Sequence, residues 1–228
     1  MTPGLGYKAS VSERQTTVGP SSSLVEQLLR VAWLSIMLGL VMEALILLLT
    51  AGFGELPGIG VIAAELAQQV SWAFLVCVAL SLGNAAANLR RPALMGFLGL
   101  LAAPLSFIIA RSLHDGLRKA LGVVGTASIG FSIILVVVVL KGVEYGCLGA
   151  AIGWVGQRPW GGLGAHIAVG LGAGIVFGSL ILAVTYWGAS SPLSTANLIS
   201  RGVNEILFPM GCSLVLFSAD ALGQEGGD

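Results

Sequence analysis

The chain has 228 residues, of which 10% are charged and 56% apolar, and its mean hydropathy is +0.93. A soluble domain carries about 25% charged and about 45–50% apolar residues, and surface-to-volume scaling denies a chain of this length a core large enough to hide the excess. Basic and acidic residues number 11 each, and no basic run exceeds two residues, so neither a nucleic acid nor an acidic partner is indicated. The composition predicts an all-α, polytopic membrane protein of about six transmembrane helices joined by short loops.

Residues 1–23 are polar, rich in Gly, Pro and Ser, and lack the apolar stretch of a cleavable signal peptide. They read as a disordered tail. A single six-helix bundle is expected over 24–220, with an acidic tail over 221–228. A spanning helix needs ~20 mostly apolar residues, and segment one meets this from about Leu24 to Ala51, opened by a Ser23–Glu26 capping box. Segment two runs from about Leu66 to Leu89, and segment three from Pro92 to Ala110 with a kink expected at Pro104. The polar stretch Arg111 to Lys119 reads as a loop or short interfacial helix. Segment four is drawn from near Ala120 to Gly156, long enough that it must tilt, kink or project. After a turn at Gln157–Gly161, segment five covers Gly162 to Trp187. Segment six is short, Gly202 to Ala219, and holds Pro209.

Lys and Arg in short loops set orientation. Lys8, Arg14, Arg30, Arg90, Arg91 and Arg158 place both termini inside, against Arg111, Arg118 and Lys119 on the other side. Ala87-Asn88-Leu89 and Ala196-Asn197-Leu198 each precede a proline-containing segment, a weak sign of duplication.

Glycine forms the clearest pattern. Gly142, Gly146, Gly149, Gly153 and Gly156 alternate spacings of four and three on one face of segment four. On segment five, Gly162, Gly170, Gly174 and Gly178 share a row with His166. Small residues let membrane helices approach closely, so segments four and five are expected to pack as a hairpin on these faces. A pigment, quinone or lipid against the glycines is the sharper alternative; no cofactor is predicted.

Ionisable groups inside an apolar span are costly and usually face a partner or cavity. The candidates for an ion or substrate pathway are Glu43, Lys141, Glu144, Asn204 and Glu205. Their plainer reading is interhelical hydrogen bonding, with Lys141 and Glu144 near the interface. His166 is a weak cofactor ligand, since no second histidine is placed to face it. Cys77, Cys147 and Cys212 form neither a CxxC nor a Cys/His cluster and read as apolar fillers. No metal site, catalytic triad or phosphate loop is present as a motif.

The chain is therefore read as a small ion, proton or solute transporter or channel and not as an enzyme, working in the lipid bilayer with almost no soluble domain. The alternative is a non-catalytic subunit of a larger membrane complex, photosynthetic or respiratory, held by its glycine faces. Either reading implies a homo-oligomer or a hetero-oligomeric assembly.

Overall fold

The computed structural model describes residues 20–85, 90–123, 130–189 and 193–225, and among these residues all regular structure is helical. The helices are α1 (Pro20–Gly52), α2 (Ile59–Asn84), α3 (Arg91–Ala120), α4 (Phe131–Val155), α5 (Leu163–Ala173), α6 (Ser179–Trp187) and α7 (Thr195–Glu225). A π-helical turn, Gly174–Gly178, joins α5 to α6 without a break, so six helical rods are long and apolar enough to cross a bilayer. Their outer surface is apolar: Trp33, Val41, Leu48, Leu105, Phe131 and Trp187 are all exposed.

Several boundaries differ from the sequence reading, each for a local reason. The helix of α1 is already running at Pro20, so Ser23 is not its cap. Arg111 to Lys119 is no loop, because α3 continues to Ala120. It stops only where Gly122 adopts φ +68°. There the Gly122 N–H donates to the Lys119 carbonyl and the Val123 N–H to the Arg118 carbonyl, closing a Schellman motif. Gly54, at φ +73°, ends α1 in the same way. Segment four is the ordinary 25-residue α4 and needs no unusual tilt to account for its length. The last helix is long, not short, and extends past residue 220 into the expected acidic tail. Its start is capped by Ser194, whose hydroxyl accepts the Asn197 N–H at 3.3 Å. Residues 1–19, 86–89, 124–129, 190–192 and 226–228 lie outside the described residues, and with them most of the N-terminal tail, the Ala87-Asn88-Leu89 motif, part of the expected start of segment four and the last three residues.

The glycine rows do pack closely, but on partners other than those expected. A Cβ added at Gly149 would lie 2.5 Å from the Met95 carbonyl, and one at Gly153 2.8 Å from Pro92 Cα. Gly142 and Gly146 face Leu100 of α3. The face of α4 is thus buried on α3. Gly170 and Gly174 press on the backbone of Met210 and Ile206, and Gly178 on that of Glu205, all on α7. The predicted glycine-to-glycine contact between segments four and five is therefore corrected: Gly142, Gly146, Gly149 and Gly153 lie against α3 and Gly170, Gly174 and Gly178 against α7, while Gly162 meets no atom within 4 Å. Glycines mark other crossings too, Gly39 against Val70 of α2 and Gly83 against Met95 of α3. Packing runs α4–α3–α2–α1–α7–α5, and the ring closes where α4 meets α5, α6 and α7.

Candidate buried ion site

Trp72 stands near the middle of α2 and organises the interior. Its indole meets Tyr145 of α4 edge-on at 5.4 Å, Phe107 of α3 at 6.2 Å and Phe208 of α7 at 6.2 Å. Against this aromatic group lie Lys141 and Glu144, one turn apart on α4. The Lys141 ammonium donates to Glu144 Oε2 at 2.9 Å and makes a short contact with Glu205 Oε2 of α7. Lys141 is 5% exposed and Glu144 0%, so neither side chain reaches out of the bundle.

The ammonium also sits over two ring faces, 5.8 Å from the Trp72 centroid and 5.7 Å from that of Tyr145. An ammonium beside aromatic faces gains cation–π attraction, most when it is desolvated. One ammonium is thus shared between two carboxyl groups in an apolar interior. Glu144 Oε1 is buried without a hydrogen-bond partner, so the set retains unused acceptor capacity.

Two features loosen the backbone here. Pro209 has no N–H, so the carbonyl of Glu205 lacks its usual helical donor. That carbonyl faces Gly178, whose added Cβ would lie 3.0 Å from it, at the end of the π-helical turn. Single π turns inside α-helices often accompany functional sites. Glu205 is therefore held between an irregular turn on one side and the Lys141 ammonium on the other.

The remaining candidates lie apart from this triad. Asn204 accepts from Gln69 Nε2 at 2.6 Å, an α2–α7 bond beside the site. Glu43 is 2% exposed, and its Oε1 has no hydrogen-bond partner. Among the described residues no ion pair joins Glu43 to Lys141, whose ion-pair partners are Glu144 and Glu205. His166 is buried, with Nδ1 3.1 Å from the Gly162 carbonyl and its ring 5.0 Å from that of Phe217.

Sequence reasoning missed three features. Trp72 and Tyr145 looked like ordinary apolar positions, and only the fold sets them around Lys141. Cys77 and Cys212, 135 positions apart, bring their sulfurs to 3.3 Å between α2 and α7. Asp220, placed outside the spans by the sequence reading, accepts from Gln27, Asn84 and Arg91 and so ties together α1, α2, α3 and α7. A carboxylate soon after the last apolar stretch was the only signal that could have suggested it.

No protein-family model matches the chain, and neither a curated protein nor a solved structure matches it. Fold and site together define an all-helical bundle of six apolar rods with a buried ammonium–carboxylate cluster.

Proposed function

We propose that the chain spans a membrane six times with both termini inside, and that it carries a small cation or a proton through the Lys141–Glu144–Glu205 cluster. The observation that supports this reading is Lys141 and Glu144, buried midway along α4 and in contact with the partly buried Glu205 of α7, inside a bundle of apolar rods. A cluster of this kind is costly in hydrocarbon, and such residues commonly line ion or proton pathways. Its location adds support: the Lys141–Glu205 contact crosses the seam between α4 and α7, beside a proline and a π turn that interrupt regular helical hydrogen bonding. Breaking and remaking the Lys141–Glu205 contact would open and close that seam.

A purely structural subunit, docked to partners through glycine faces, has less to stand on. Those faces are already covered within the chain.

The test is flux in vesicles. Purified protein in proteoliposomes should dissipate an imposed gradient of protons or of a monovalent cation. Glu205→Gln should reduce flux to that of empty vesicles while leaving the elution profile of the purified protein unchanged. Equal flux in Glu205→Gln and the native protein would end the transport reading for this site.

A further inference from the structure

We infer that the chamber filled by the Lys141 side-chain nitrogen is a recognition site for a small ammonium ion, either ammonium itself or a short primary alkylammonium, with Lys141 as its tethered occupant. Four groups face that nitrogen: Glu144 at 2.9 Å, Glu205 in short contact, and the rings of Trp72 and Tyr145 at 5.8 and 5.7 Å. Carboxylates accept the N–H bonds of an ammonium, and aromatic faces attract its charge without competing for hydrogen bonds. The same surroundings suit a metal cation poorly. Hard cations gather shells of oxygen ligands, whereas two sides of this chamber are ring faces. Among the described residues, no group of three or more His, Cys, Asp and Glu side chains is arranged to hold a metal.

A second, independent observation is the unpartnered oxygen of Glu144. Oε2 is used by Lys141, but Oε1 of the same fully buried carboxylate accepts nothing. Lys141 offers three donors on a nitrogen fixed by its stem to the same helix as Glu144. An untethered ammonium can turn freely, so it can use Oε1 as well as the two oxygens that Lys141 already engages.

The Lys141 ammonium occupies the space between these groups, so a free ammonium enters by displacing it. This exchange rests on the transport reading, and it gives Lys141 a definite task. With the carrier empty, Lys141 neutralises carboxylates that would otherwise be bare charges in an apolar interior. With a ligand bound, the lysine stem swings aside and the ligand takes over that role. An empty carrier can then reorient without exposing unpaired charge to hydrocarbon.

The test uses the full chain with Lys141→Ala, which opens the chamber, and with Lys141→Ala/Glu144→Gln, which keeps the net charge of the native cluster and guards against a misfolded single variant. Methylammonium and n-propylammonium are the probes, with sodium and potassium chloride at equal ionic strength as comparators. Thermal unfolding should shift upward and saturably with either alkylammonium in Lys141→Ala, and less in the double variant. Adding Glu205→Gln to either variant should abolish the response. A shift of equal size with sodium or potassium, or no alkylammonium response in whichever variants fold, overturns the ammonium site. Radiolabelled methylammonium uptake by the native protein in proteoliposomes separates the two proposals. Binding without flux of any ion would overturn transport and leave the ammonium site standing. Proton or metal-ion flux without an alkylammonium response would do the reverse.

Discussion

At the scale of single residues, the cluster is defined by what each member loses when another is removed. Lys141 holds two carboxylates, so Lys141→Met leaves both buried without a cation. Removing one partner of a buried pair costs about 3–5 kcal/mol, because the charge left behind stays desolvated. Lys141→Met is therefore expected to be destabilised by about that amount in denaturant or thermal unfolding. The triple variant Lys141→Met/Glu144→Gln/Glu205→Gln should lose much less, since replacing a whole buried ion set with neutral groups is often close to neutral. If the single and triple variants unfold alike, the contacts of Lys141 with Glu144 and Glu205 are not held in the folded protein. Sequence alone separated these residues from the rest by the simple test of charge in an apolar run. It could not pair Lys141 with Glu205, 64 positions away, nor place Glu43 apart from both.

At the scale of elements, glycine position decides how closely two helices approach. Gly174 lies against the backbone of Ile206, whereas a Cβ added at Gly172, two residues earlier, would meet nothing within 4 Å. Gly174→Ala should thus force α5 and α7 apart and cost about 1–3 kcal/mol as overpacking. Gly172→Ala should be neutral or slightly stabilising, because alanine is preferred over glycine in a helix interior by about 0.5–1 kcal/mol. Comparing the thermal midpoints of the two variants checks this, and equal midpoints would count against the close α5–α7 contact. Helical periodicity made the glycine rows visible in the sequence, since spacing of three and four keeps residues on one face. Which helix covers that face depends on the order of packing around the bundle, and adjacency in sequence was the wrong guide. The short turn at Gln157–Gly161 suggested a glycine-to-glycine hairpin, yet α4 spends its glycines on α3 and α5 on α7. Helix ends were misjudged for a related reason. The polar stretch from Arg111 reads in sequence as a loop or short interfacial helix, and Asp220 lies just past the expected end of segment six, although both belong to helices that extend beyond the apolar core.

At the scale of the whole molecule, six alternating rods bring both described chain ends to one end of the bundle. The bonds from Gln27, Asn84 and Arg91 to Asp220 fix this directly. Arg30, Arg90, Arg91 and Arg158 are at or near that end, while Arg111, Arg118, Lys119 and Arg201 are at or near the other. Among the described residues the two ends are thus evenly charged, and the proposal that the Asp220 end is the inner one rests on Lys8 and Arg14 in the N-terminal sequence. Cysteine labelling can decide, provided that the probes disturb nothing. Gly58 and Gly162 precede α2 and α5 at opposite ends, and a Cβ at either meets no atom within 4 Å. Gly116, equally unencumbered, lies in the stretch of α3 that the sequence suggested was a loop. In a Cys147→Ala background, which removes the exposed native thiol and leaves Cys77 and Cys212 buried, each glycine is replaced singly by cysteine. An impermeant maleimide added outside intact cells should label Gly58→Cys and Gly116→Cys and miss Gly162→Cys until the membrane is opened. The opposite pattern would invert the orientation and keep the six-rod bundle. Labelling of Gly58→Cys and Gly162→Cys from the same side would break the alternation itself, because three membrane crossings, α2, α3 and α4, separate those two positions.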